Sequence, residues 1–192
     1  MNTRKLTGIS LLFATVVVLQ LIATLIPMKP FTISLVQIPI VIGACIYGRK
    51  TGALLGTAFG IVVLFACIAG ADSGGHMLWE VNPFATAAVV IVKGAAAGYV
   101  SGAVYSRACK KNENSYTGGV LAAAVSPIVN TGVFCISMIL IFKDTLSAWA
   151  GGTDVLYYVI FVLVGVNFLI EFFINLILSP AIVRVIKTRK RV

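Results

Sequence analysis

The chain has 192 residues, 59% of them hydrophobic and 11% charged, with a formal net charge of +9 and a mean hydropathy of +1.03. That composition excludes a soluble globular domain, where about a quarter of residues are charged, and fits one polytopic membrane domain spanning residues 1–192. The positive charge does not indicate nucleic acid as a partner, because the basic residues gather at the ends of apolar runs.

Measured against the roughly 20 residues a spanning helix needs, the chain offers six apolar runs: 6–27, 31–47, 51–70, 84–105, 118–142 and 155–186. The expected fold is an all-α membrane protein, a six-transmembrane-helix bundle. Arg4 and Lys5 precede the first run as they would in a signal peptide. The run is longer than a usual signal core, however, and ends in LIPMKP without a small-x-small cleavage site, so it reads as helix one. Within it, Ser10 and Ala14 form a small-xxx-small pair suited either to internal packing or to docking of another membrane subunit. The second run is the shortest, and Pro39, close to Gln37, interrupts it.

GRKTG reads as a tight turn into the third run, where Gly52, Gly56 and Gly60 share one helical face; Gly94, Gly98 and Gly102 repeat the pattern in the fourth. The ladders suit either close packing within the chain or a dimer face; packing within the chain in that half of the bundle leaves any cavity to the other half. Between the two runs, AGADSGGHMLWEVNP reads as an outer loop closing on Asn82 as N-cap and Pro83 as the first helical residue. His76 has no second metal ligand nearby. Trp79, with Tyr157 and Tyr158, forms either an interfacial aromatic belt or a lid over an outward-facing site. RACKKNENSYTGG reads as a longer basic inner loop.

Polar groups inside the apolar runs carry the functional signal. At 100° per residue, Asn82, Thr86 and Lys93 fall on nearly one face of the fourth run, turned away from its glycine ladder. A charge at that depth costs a few kcal/mol or more, so it faces a partner, a cavity or a ligand. The fifth run contains SPIVNTGVF, in which Pro127, Asn130, Thr131 and Gly132 suggest either a kinked packing helix or a cavity wall. In the sixth, NFLIEFFIN spaces Asn167, Glu171 and Asn175 four apart in one polar stripe. Lys93 and Glu171 both fall near mid-membrane. They are expected to form a structural ion pair, to receive a ligand, or both.

Most basic residues, from Arg4, Lys5, Arg49, Lys50 and Arg107 to the tail RVIKTRKRV, fall on one side of such a bundle, against Lys29 and Lys143 on the other. This is the positive-inside pattern, with both termini cytoplasmic. The tail also suits contact with anionic membrane lipid. No G-x-x-x-x-G-K-[ST] loop is present for ATP hydrolysis, and no nucleophile–His pair or carboxylate cluster lies within the runs. Cys45, Cys67, Cys109 and Cys135 are scattered without metal-ligand spacing. The chain is therefore not expected to be an enzyme, to hold a metal or to carry a cofactor.

Taken together, FTISLVQIPIVIGACIYGRKTGALLGTAFGIVVL, NPFATAAVVIVKGAAAGYVSGAVY, SPIVNTGVF and NFLIEFFINLILSPAIV resemble the substrate-binding S component of energy-coupling factor vitamin importers over nearly the whole chain. The likeness is greatest to pantothenate-type members, around IPIVIGA and the Gly-rich helix that follows. It implies a multi-pass protein of the bacterial cell membrane that captures a vitamin outside and docks on a transmembrane coupling subunit carrying two cytoplasmic ATPases. Such a protein topples to release its cargo inside, with ATP used by the partners alone. Family members dock through small residues of helix one, usually Ala-x-x-x-Ala, and Ser10 with Ala14 is the nearest match here. Several relatives carry a Pro-Arg pair in helix four where this chain has AVV, with Lys93 about one turn on. The expected site lies in the outer half, walled by Trp79, Asn82, Thr86, Lys93, Asn130, Thr131, Asn167 and Glu171, with Lys93 on a carboxylate such as that of pantothenate. The rival expectation is a small channel or secondary carrier with a Lys93–Glu171 permeation path.

Overall fold

Residues 3–25, 35–111, 115–159, 161 and 165–190 are described by the computed structural model. Their regular structure is helical: α1 Thr3–Leu25, α2 Gln37–Tyr47, α3 Arg49–Ile68, α4 Ser73–Val81, α5 Pro83–Lys111, α6 Ser115–Ile141, α7 Lys143–Ala150, α8 Val155–Tyr157 and α9 Gly165–Lys190. Five of these, α1, α3, α5, α6 and α9, are long and apolar enough to cross a membrane.

The second expected span is the one that differs. α2 has 11 residues, about 17 Å at the rise of an α-helix, too short to cross alone; the beginning of that run, through residue 34, lies outside the described residues. Pro39 does not interrupt the helix. It sits in the first turn, where backbone N–H groups have no intrahelical partner and a missing one is tolerated. A single residue, Gly48 at φ +96°, turns the chain from α2 into α3. Only glycine adopts that conformation without strain.

Two further expectations are corrected. The outer loop is largely a helix, α4, because Leu78 and the small Gly74 and Gly75 give SGGHMLWEV one side that buries. Most of the long basic inner loop is helix, since α5 runs to Lys111 and α6 starts at Ser115; residues 112–114 lie outside the described residues. Within the sixth run, α8 covers Val155–Tyr157 and α9 starts at Gly165, while residues 160 and 162–164 lie outside the described residues. The amphipathic α7, not anticipated, buries Leu146 and Ala150.

The expected glycine packing is intramolecular and joins α3 to α5. A Cβ added at Gly56 would meet the Gly94 carbonyl, one at Gly52 the Gly98 carbonyl, and one at Gly60 would stand 2.6 Å from the Val90 carbonyl oxygen. At Gly102 the obstacle is the Arg49 backbone, 2.7 Å away. Missing side chains let the two backbones touch, which is how helices associate where no water is expelled. The register is antiparallel, setting the start of α3 against the end of α5.

The same reading of close contacts orders the other helices. Gly118 lies against Tyr105 and Cys109, and Gly119 against Val183 and Ile186, so α6 runs antiparallel to both α5 and α9. Arg49, Arg107, Arg184 and Lys187 consequently gather at one end of the bundle. At that end an apolar cluster, Val41, Cys45, Tyr105, Ala122, Ala123, Ile182 and Ile186, ties α2, α5, α6 and α9 together. At the opposite end Leu78, Val89, Met138, Phe142, Leu146 and Val159 bring α4 and α7 down onto α5 and α6.

Candidate functional site

Lys93 lies about 15 Å along the α5 axis from Pro83, half the thickness of a bilayer core. In a helix the Cα–Cβ bond leans toward the N-terminus, so its long side chain reaches back toward the α4 end of the bundle. Its ammonium stands 5.1 Å from the centroid of the Phe134 ring on α6, a cation–π distance. Beyond it opens a cavity of about 20 Å³ lined by Cys67, Asp72, Thr86, Lys93, Phe134 and Phe142, among others. That volume holds about one water molecule.

Asp72 is the group the sequence reading missed. It is only 7% exposed and lines the Lys93 cavity. It precedes α4 at the N-cap position without closing a cap hydrogen bond, and its Oδ1 has no hydrogen-bond partner. Burial raises its carboxyl above the usual carboxylate range, opposed by the charge of Lys93 and by the Gly75 amide. The available signal was local: an Asp at the N-cap position of a short segment whose Leu78 needs burying.

α4 closes one end of the cavity with Gly75 and Leu78. The His76 Nδ1–H donates to the Cys67 carbonyl at 2.8 Å, and His76 Nε2 lies 3.7 Å from Glu80 Oε1. Trp79 packs against the apolar cluster that includes Leu55, Phe59 and Val63 on α3, so it helps seat α4. Asn82 is the expected cap: its Oδ1 accepts from the Ala85 N–H at 3.1 Å, and its backbone carbonyl accepts from the Thr86 hydroxyl at 2.9 Å. The side chain of Asn82 is exposed and occupied with capping, whereas Thr86 is buried and lines the cavity.

Asn130, Thr131 and Glu171 are not among the residues lining this cavity. Glu171, 9% exposed, accepts from Gln37 Nε2 at 3.2 Å. Among the described residues no ion pair within 4 Å joins Lys93 to Glu171, so the two do not form the expected direct pair. Antiparallel registers explain why: they place Asn130 of α6 at the level of both residues, so α6 lies between them. Thr131 lines a different feature, an apolar groove of about 420 Å³ with Ile128, Gly132, Cys135, Phe168 and Leu169. The Asn167 side chain lies outside the described residues. Ser10 and Ala14 are both exposed on α1, on a helix that packs against α2 and α3.

No curated protein is detectably similar in sequence. The family model for the substrate-specific component of ECF transporters matches residues 4–183. Members of that family are substrate-binding membrane subunits of transporters rather than enzymes, in keeping with a bundle of long apolar helices that encloses a charged cavity. The chain therefore belongs to the family of ECF transporter substrate-specific components.

Proposed function

We propose that this chain is the high-affinity capture subunit of an ATP-driven importer of a vitamin or related micronutrient that carries a carboxylate, with pantothenate as the leading cargo. The observation behind this reading is Lys93, whose charge is directed into a cavity beneath α4. Its ammonium is the group to hold the cargo carboxylate, Thr86 is at hand for a hydroxyl or amide, and the apolar lining supplies the rest of the burial. Trp79 and Asn82 anchor the C-terminal end of the covering helix. A cavity of about 20 Å³ does not admit a vitamin, so loading requires α4 to swing out, about its ends at Gly70, φ +74°, and Asn82.

In this reading the bundle has six spans, α2 joining the five long helices once residues before it are included. Both termini are cytoplasmic, which the gathering of basic residues at one end supports. The exposed Ser10–Ala14 face of α1 docks on the transmembrane coupling subunit, and two cytoplasmic ATPases supply the energy.

Calorimetry on purified protein in detergent, across pantothenate and the other water-soluble vitamins, tests this for wild type and Lys93→Met. A hydrogen bond to a charged group contributes about 1.5–3 kcal/mol, so the variant should bind the cognate carboxylate about 10- to 150-fold more weakly. A folded wild type that binds no vitamin overturns the reading. Solute movement by the reconstituted chain alone would favour a carrier instead.

A further inference from the structure

α2, α6 and α9 pack on one another around an apolar cluster at the basic end of the bundle. Moving away from that end, each helix turns polar on the same face. Gln37 precedes Val41 by four residues, Ser126 follows Ala122 by four, Asn130 follows Ala123 by seven, and Asn175 and Glu171 precede Ile182 by seven and eleven. All of these spacings return to nearly the same side of a helix. The α6–α9 register, set by Gly119 against Val183, puts Ser126 level with Asn175 and Asn130 level with Glu171. The polar stripes of three helices therefore meet on one axis.

Five buried side-chain oxygens among the described residues have no hydrogen-bond partner, and four belong to this stripe: Gln37 Oε1, Ser126 Oγ, Asn130 Oδ1 and Asn175 Oδ1. Gln37, Ser126 and Asn175 are 2%, 0% and 0% exposed. Two of the amides cannot simply be turned round. Gln37 Nε2 donates to the Glu171 carboxylate, and Asn175 Nδ2 donates to the Glu171 backbone carbonyl at 2.8 Å, so in each the oxygen is what remains. Such oxygens in a membrane interior require a guest that is electron-poor. Oxygen-only ligand sets select hard cations, and a single carboxylate, Glu171, balances a single charge.

We propose that Gln37, Ser126, Asn130, Glu171 and Asn175 bind one monovalent metal cation, which fastens α2, α6 and α9 together. The site is separate from the Lys93 cavity and does not depend on the identity of the cargo. Glu171 supplies the charge, and the amide and hydroxyl oxygens complete the shell.

Thermal unfolding of the purified, cargo-free protein tests this in NaCl, KCl and choline chloride at equal ionic strength. The expected result is a saturable rise in Tm with Na⁺ or K⁺ over choline, about 3–6 °C at ten times the dissociation constant. The cation giving the larger rise is the one the site selects. The rise should shrink in Glu171→Gln and Asn175→Ala. Should either variant fail to fold, equilibrium binding of ²²Na⁺ or ⁸⁶Rb⁺ to wild type, and its loss in Ser126→Ala, gives the same answer with an expected stoichiometry of one. Equal Tm in all three salts, with no radioisotope bound, overturns the proposal and leaves ordered water as the guest. A cation effect untouched by every variant also overturns it.

Discussion

The contact between α3 and α5 allows a sharp comparison of two glycines. Replacing Gly56 by Ala places a methyl group where the Gly94 carbonyl lies, against backbone on both sides. Neither partner is the flexible end of a side chain, so the helices must part along the whole ladder, including Gly52 with Gly98 and Gly60 with Val90. Overpacking of this kind costs about 1–3 kcal/mol, and parting the ladder sacrifices neighbouring contacts as well. The helix-propensity gain of Ala over Gly returns only about 0.5–1 kcal/mol. The net effect is a loss of about 1–2 kcal/mol. For a chain of 192 residues that lowers Tm by about 2–8 °C. Gly132 is the control: it is helical in α6, and a Cβ there meets nothing within 4 Å. Gly132→Ala should raise Tm by about 1–4 °C from propensity alone. Thermal unfolding of the two variants in one detergent decides the matter. A Gly56→Ala protein as stable as wild type, or two variants shifting the same way, would refute the argument that backbone contact holds α3 to α5.

Other substitutions probe the lid and the cavity. Asn82→Ala removes the oxygen that accepts the Ala85 N–H and should cost about 1 kcal/mol, seen as a lower Tm with cargo-binding stoichiometry retained. Because burial raises the Asp72 carboxyl in the folded protein, the folded state holds its proton to higher pH than the unfolded chain does. Stability should fall as pH rises from about 4 through the folded-state value, and Asp72→Asn should flatten that slope in Tm measured against pH. Buried Cys45 and Cys67 should resist a maleimide in the folded protein and react on denaturation, as mass spectrometry would show.

Composition and hydropathy were enough to fix the membrane environment and the long helices, because burying about 20 apolar residues in lipid is a local property of the chain. The glycine spacing of four likewise foretold a face of close backbone packing on α3 and on α5, and the bundle shows that the two faces meet each other. Asn82 was legible as a cap for the same reason: its role is played out within one turn.

What the sequence left open depended on which helices become neighbours. Spacing placed Lys93 and Glu171 at similar depth, but depth does not say what stands between them, and α6 does. The lean of the Lys93 side chain toward the start of α5 instead brings its charge to a cavity shared with Asp72, a residue 21 positions earlier in the chain. Gln37 and Glu171 are 134 residues apart, and Ser126 is one hydroxyl in an ordinary helix until α2 and α9 enclose it. Polar residues declare from sequence alone that lipid is the wrong neighbour; only the packed bundle decides which neighbour they receive, because the desolvation that makes a buried oxygen costly exists only after the helices have come together.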